Sequence, residues 1–447
     1  MSVIEKHEEL EAYFHEAGKP RERWRVGTEY EKVGIDKHTG QAIPYFGPRG
    51  VEYILREMMD RFRWEPIEQD GHIIALSRDR AQITLEPGGQ IELSGEPCES
   101  IHCTYAEFTQ HIRELLEVCD PLEVVFLGLG MQPVSKLDEI QWVPKQRYRI
   151  MGPYMPTVGT LGQRMMKQTA TVQANIDFLD EKDAMMKFRT GMGLAPVLIA
   201  MFANSPICDG RLNGYRSYRE HIWTDTDKSR QGLLKFAFAL EAGFGHYVEY
   251  ALDVPMYFII RHHNYIDMTS KTFRQYLEYG HNGERATMED WADHLTTLFP
   301  ETRIKRYIEV RSVDSQPPEL MPALSALIKG AFYDNDCLHA AWDLVKGWSW
   351  DERMQVYLDS HENALAARFR RHSLLDLAKE FLEIAWEGLR RQHVVNDAGD
   401  DETIYLNPLK NLLAQGKCPA DVVLEKWQGE LQKDIQKLIA YSAYKLP

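Results

Sequence analysis

Apolar and polar residues alternate along four stretches of the chain, and in each the polar side has unusual chemistry. Successive residues of a β-strand point to opposite faces. In residues 25–33, Gly27, Glu29 and Glu31 fall on one face, with Val26, Thr28 and Tyr30 on the other. In 169–178, Thr169, Thr171, Gln173, Asn175 and Asp177 alternate with Ala170, Val172, Ala174, Ile176 and Phe178. In 305–312, Lys305, Tyr307, Glu309 and Arg311 share a face, with Ile308 and Val310 behind them. Residues 81–94 read as a hairpin turning at Pro87-Gly88-Gly89. A three-residue loop there predicts pairing of Glu86 with Gln90 and of Thr84 with Glu92. Ile83, Leu85, Ile91 and Leu93 then form the core face.

Taken singly, each strand could simply turn its polar residues to water. As a set they do not look solvated. Glu29, Glu31, Glu86, Glu92 and Glu309 recur in strand positions beside Gly, Gln, Asn and Arg. Carboxylates on neighbouring strands of one face repel unless a cation lies between them. An all-oxygen site suits Mg²⁺, which pairs with substrate phosphates. The pattern therefore predicts a concave sheet lined by metal-binding glutamates and backed by helices on its apolar face.

Beyond about Pro318 the periodicity becomes helical. Leu324, Leu327, Ile328 and Phe332 fall on one stripe, and Leu374, Leu375, Leu377, Phe381, Leu382, Ile384 and Leu389 on another. Asn396-Asp397-Ala398-Gly399 reads as a loop. The expected organisation is α+β: a catalytic antiparallel-sheet core over 1–317 and a helical layer over 318–447 packed on it, with a soft boundary.

Basic residues complete the chemistry. Arg216, Arg219, His221 and Trp223 lie in a polar, turn-rich segment, and a planar guanidinium can grip both oxygens of a carboxylate or phosphate. Residues 205–230 are expected to form a substrate lid. Arg311, on the strand of Glu309, is expected to neutralise a transferring phosphate.

Charge narrows the partners. The 447 residues include 67 Asp and Glu against 52 Lys and Arg, a net charge of −15, which disfavours a nucleic-acid partner. There is no P-loop, and Gly128-Leu129-Gly130 and Gly191-Met192-Gly193 lack the third glycine of a dinucleotide fingerprint. The N-terminus shows no secretory pattern, and no run approaches the ~20 apolar residues of a membrane span. A cytoplasmic protein without membrane contact is expected. The six cysteines form no C-x-x-C pair, so reduced, mostly buried thiols are expected rather than a zinc site or disulfides.

Several long motifs resemble the plant/proteobacterial-type glutamate–cysteine ligases: Gly27-Thr28-Glu29-Tyr30-Glu31-Lys32, the run from Leu85 to Gly95, Tyr154-Met155-Pro156, the run from Thr171 to Phe178, and His221-Ile222-Trp223-Thr224-Asp225-Thr226-Asp227. Residues 251–258, 294–300 and Arg306-Tyr307 agree, so the resemblance runs from about residue 20 to the C-terminus. It implies a glutamine-synthetase-like curved antiparallel sheet with ATP and Mg²⁺ in its concavity. It also implies ligation of the L-glutamate γ-carboxylate to the amine of L-cysteine through a γ-glutamyl phosphate, the first step of glutathione synthesis, by a monomer or homodimer. By motif position, Glu29, Glu31, Glu86, Glu92 and Glu309 look like metal ligands. Arg219, Trp223, Thr169 and Tyr154 look like substrate contacts, with Arg219 on glutamate. Gln173, Asn175, Lys305 and Arg311 look like nucleotide contacts, and Arg219 and Arg311 are the catalytic pair. Where plant members carry a regulatory cysteine pair, this chain holds Tyr105 and Pro322, so that thiol switch is expected to be absent. A plastid transit segment is not expected either. The competing readings are a γ-glutamyl ligase with another amine acceptor, a catalytically silent nucleotide-binding homologue, and an acidic scaffold.

Overall fold

The computed structural model describes residues 2–446. Its centre is an antiparallel sheet of nine strands: β1 (Val26–Asp36), β2 (Glu65–Gln69), β3 (His72–Arg78), β4 (Ala81–Leu85), β5 (Ile91–Ser94), β6 (Val124–Leu127), β7 (Val172–Ile176), β8 (Thr302–Ile304) and β9 (Ile308–Val310). The spatial order is β8-β9-β7-β1-β5-β4-β3-β2, and β6 pairs with the far half of β1. Each pairing in this sheet is antiparallel.

Register puts the polar residues of the sequence pattern on one face. Across β1, Glu29 lies opposite Gln173 and Ser94, and Glu31 opposite Glu92. Asn175 lies opposite both Gly27 and Glu309. The hairpin has the expected register: Thr84 faces Glu92, Leu85 faces Ile91, and the Glu86 N–H donates to the Gln90 carbonyl at 3.0 Å.

The opposite face of the sheet is apolar and carries helices. Val26, Tyr30, Ile83, Leu93, Val172, Ala174, Ile176, Ile308 and Val310 are buried there. The helices packed on the sheet are α1 (Val51–Phe62), α2 (Ile101–Cys119), α3 (Glu181–Phe202) and α4 (Ala323–Tyr333). The stripe Leu324, Leu327, Ile328 and Phe332 is buried, as its spacing predicts. One ion breaks the rule. Lys32 is fully buried on this face, its Nζ donates to the Tyr30 carbonyl at 2.6 Å, and burial pulls its pKa down to about 7.

By length and hydropathy α3 could cross a bilayer, contrary to the expectation from run lengths, but 89% of that stretch is buried inside the protein. It is a core helix, gripped by the C-terminal helices. Gly191 and Gly193 mark close helix contacts there: a Cβ on Gly191 would lie 2.6 Å from Thr302 Oγ1, and one on Gly193 2.7 Å from Val345. The chain ends back at the sheet, where the Tyr444 N–H donates to the Phe126 carbonyl at 2.7 Å.

The cysteine expectation needs correction. Cys98 and Cys103 form a disulfide, with Cα atoms 5.8 Å apart. Cys98 pairs with Val26 beside β1, and the first turn of α2, capped by Ser100, folds Cys103 back over it. Cys119, Cys208, Cys337 and Cys418 are free and buried, as expected.

The tip of the β4–β5 hairpin depends on two glycines. Gly89 adopts φ +86°, the left-handed region that favours glycine. At Gly88 a Cβ would sit 2.2 Å from the Lys167 carbonyl oxygen, so backbone would have to move. Gly88→Ala is therefore expected to cost about 1–3 kcal/mol in urea unfolding. It should also lower activity by displacing Glu86 and Gln90. Unchanged stability and activity would show that the hairpin tip tolerates the shift.

Candidate active site

The polar sheet face floors a cleft of about 430 Å³. Its acidic side is built by β1, the β4–β5 hairpin and their turn. One carboxylate oxygen from each of Glu31, Glu86 and Glu92 lies within 4.8 Å of the others. Burial holds the Glu31 carboxyl well above the usual carboxylate range, and the charges of Glu86 and Glu92 push it further. Glu92 is raised for the same reasons, burial and then Glu86, although Ser94 Oγ at 2.6 Å and Thr84 Oγ1 at 3.0 Å donate to it. Glu29, one strand position along, is pushed up to about 7 by burial, Glu309 and Glu92, and accepts from Asn175 Nδ2 at 2.9 Å. These hard oxygen donors repel one another, and among the described residues no cation is in ion-pair contact with them, so they fit a divalent metal.

The facing side is cationic. Glu309 is fully buried and is met by Arg303 at 2.6 Å, Arg311 at 2.6 Å and Lys305 at 3.0 Å. Burial raises its pKa, but these three cations outweigh that and hold it below the usual range. Arg311 Nη1 also donates to Gln173 Oε1. Arg219 comes from a short helix, α5 (Tyr218–Trp223), capped by Ser217, and is ion-paired with Glu220. Trp223 packs near Phe299 (5.5 Å between ring centroids) and both line the cleft. Thr169 lines it too, and its carbonyl accepts from Gln90 Nε2 at 2.7 Å.

The model of the glutamate–cysteine ligase family 2 matches residues 25–439. The chain belongs to that family. A glutamate–cysteine ligase B of Oryza sativa subsp. japonica, named chloroplastic, is 42% identical over 440 residues, covering 97% of this chain and 87% of the relative. The Arabidopsis thaliana enzyme, also named chloroplastic, is 41% identical, covering 98% and 83%. Among solved structures, a Francisella tularensis glutamate–cysteine ligase in complex with AMP superposes with a TM-score of 0.54 at 15% identity, covering 95% of this chain and 90% of that one, and so shares the fold. The relatives' names overturn the cytoplasmic expectation, since they point to a plastid instead. Folded-body composition carries no address, because targeting is read from leader segments.

Within this family fold, most residues singled out in the sequence line the cleft, but Tyr154, Asn175, Lys305 and Glu309 do not. Tyr154 does not line the cleft; its hydroxyl reaches Asp227 at 3.4 Å and its ring lies 5.4 Å from that of Tyr257. Helix periodicity, not strand alternation, governs residues 146–158, and it turns Tyr154 toward the Asp227–Arg230 pair. Glu309 sits among Arg303, Lys305 and Arg311, within electrostatic reach of Glu29 but apart from the Glu31–Glu86–Glu92 group. Residues 205–230 form a wall, not a loose lid: Arg219, Glu220, Thr226, Asp227 and Arg230 are all buried.

Several cleft residues escaped the sequence reading, among them the cations Arg303, Lys145 and Arg147. Residues 305–312 are not the single strand expected: the chain turns at 305–307, so β8 lies antiparallel to β9 and Arg303 sits opposite Glu309, which alternation along one strand could not show. Lys145 comes from an irregular segment; its Nζ donates to the Leu85 carbonyl at 2.8 Å, and burial lowers its pKa to about 8. Nothing in the local pattern marks it.

The acidic trio has a measurable effect on stability. The folded state binds the Glu31 proton more tightly than the unfolded chain. Stability is thus full below the unfolded carboxylate range and is lost as pH rises through the raised folded pKa. Glu31→Gln removes that loss and keeps an acceptor for the Thr171 N–H, now 3.0 Å from Glu31 Oε2. Without divalent cations, its melting temperature is expected to exceed the parent's by several degrees at pH 8, with the gap closing towards pH 5. A gap independent of pH in differential scanning fluorimetry would contradict this.

Proposed function

We propose that this chain is an ATP-dependent ligase that joins the γ-carboxylate of L-glutamate to the amine of L-cysteine, the first step of glutathione synthesis. The observation carrying this reading is the convergence of Glu31, Glu86 and Glu92 with Arg219 and Arg311 in one cleft of a glutamate–cysteine ligase family chain.

A carboxylate at neutral pH is a poor electrophile. Transfer of the ATP γ-phosphoryl group to a γ-carboxylate oxygen gives γ-glutamyl phosphate and ADP. The cysteine amine then attacks the acyl carbon, the C–O bond to phosphate breaks, and the amine proton is released. The protein supplies position and charge rather than a covalent nucleophile. Glu31, Glu86 and Glu92, with Glu29 beside them, would hold Mg²⁺, which would draw charge from the ATP phosphates. Arg219 grips a carboxylate of glutamate, and Arg311, held in place by Glu309 and Gln173, faces the transferring phosphoryl group. Trp223 and Phe299 keep water from the acyl phosphate.

A neighbouring cleft receives the nucleotide. It shares Glu29 and Gln82 with the first, and adds Lys19, Arg25, Arg80 and Asn175. The absence of a side chain at Gly27, where a Cβ would lie 3.2 Å from the Asn175 Cβ, keeps its floor open.

Two measurements test the reading. Phosphate release with glutamate, ATP, Mg²⁺ and a panel of amines should give the highest kcat/KM with L-cysteine; a better acceptor in the panel would reassign the substrate. Arg219→Lys should raise KM for glutamate at least tenfold while leaving KM for ATP within twofold, because an ammonium cannot make the paired grip. The reverse pattern would move Arg219 to the nucleotide.

A further inference from the structure

The backbones that carry Arg219 and Arg311 are held from behind through contacts that reach the C-terminal helices. Arg219 Nη2 donates to the Arg311 carbonyl at 3.4 Å. The Arg311 N–H in turn donates to the Glu301 carbonyl at 3.0 Å, and Ser312 Oγ to the same oxygen at 3.3 Å. The Glu301 side chain is buried and points away from this backbone, towards α6 (Trp350–Asn363), where the Tyr357 hydroxyl donates to Glu301 Oε1 at 2.5 Å. Among the described residues, no other donor reaches that carboxylate.

The same helix fixes the start of α5. The His361 carbonyl accepts from the N–H groups of Arg216 and Ser217, both at 3.0 Å. Asp314 then accepts from Ser217 Oγ, Ser205 Oγ and the Asn204 N–H at 2.9, 2.7 and 2.7 Å, and Ser205 Oγ receives the Arg219 N–H at 3.1 Å. Gly130 makes room for this knot, since a Cβ there would lie 2.5 Å from that of Asp314. Both argininines' backbones are thus set by contacts that end on one helix turn, Tyr357 to His361.

Two carboxylates are buried here: Glu220 pairs with Arg219, and Glu301, held by Tyr357, lies close enough to repel Glu220. Burial and the charge of Glu301 raise the Glu220 pKa well above its usual range. Glu220 already shares the guanidinium with any incoming carboxylate, and a released Glu301 would add a second negative charge beside that pair. The Tyr357 phenol, raised well above its ordinary pKa by burial and Glu301, stays protonated and remains a donor.

We infer that Tyr357 is a positioning residue for glutamate binding: by holding the Glu301 carboxylate against α6, it leaves Arg219 available to the substrate carboxylate. This rests on Arg219 as the glutamate anchor. Removing the hydroxyl orphans a buried carboxylate beside the Arg219–Glu220 ion pair, where its charge can disturb that pair.

The test is a double-mutant cycle on the full chain, with Arg219→Lys as reference. Tyr357→Phe is expected to raise KM for glutamate about tenfold, with kcat and KM for ATP within twofold. In a Glu301→Gln background, which lacks the competing charge, Tyr357→Phe should change KM for glutamate less than twofold. An unchanged glutamate KM in Tyr357→Phe overturns the inference while leaving the Arg219 assignment intact if Arg219→Lys still raises it. Equal increases in the KM of both substrates, or an undiminished effect in the Glu301→Gln background, also overturn it, as either marks a merely structural role. A glutamate KM unmoved by Arg219→Lys overturns both readings.

Discussion

Carboxylates that share a desolvated surface raise the free energy of the folded chain, and the rest of this molecule is arranged around that penalty. β1 contributes Glu29 and Glu31, and the hairpin adds Glu86 and Glu92 to the same face. None of these can retreat, because their strands are locked by an apolar reverse face. The sheet therefore maintains an arrangement that opposes folding and favours cation binding, an instance of local cost kept for function.

Across the cleft the opposite sign is managed differently. Glu309 gathers Arg303, Lys305 and Arg311 into an array, reducing their repulsion while leaving the array net positive. Phosphate can then approach a surface that is already ordered, so less reorganisation accompanies binding. The acidic trio has no ion-paired cation among the described residues, whereas the basic side is only partly offset by Glu309 and stays positive. This asymmetry suits a metal–nucleotide complex entering between them.

Much of this was legible in the sequence because strand geometry is local. Period-two alternation assigned Glu29, Glu31, Gln173, Asn175 and Arg311 to one face, and two glycines after Pro87 set the hairpin register that pairs Thr84 with Glu92. Alternation does not report what lies across space. It could not show that Glu309 is surrounded by three cations, that Tyr154 turns to Asp227, or that Lys32 lies buried on the apolar face. The Cys98–Cys103 bond was missed for a related reason: the separation of five residues looks unremarkable until a strand end and a helix turn fold onto each other. Tyr357 lies more than fifty positions from Glu301, on a helix whose own pattern speaks only of packing.

The route of the chain through the sheet has a consequence for synthesis. β1, the hub, leaves the ribosome early, but it meets β5 some sixty residues later, β7 about eighty after that, and β9, beyond β7, only past residue 300. The strand paired with its far half is itself sealed by Tyr444, more than three hundred residues further along the chain. A nascent chain thus exposes an incomplete, acid-lined edge throughout translation. Such non-local pairing makes folding slow, and the repulsion within the unfinished face discourages the exposed edges of two growing chains from pairing with each other.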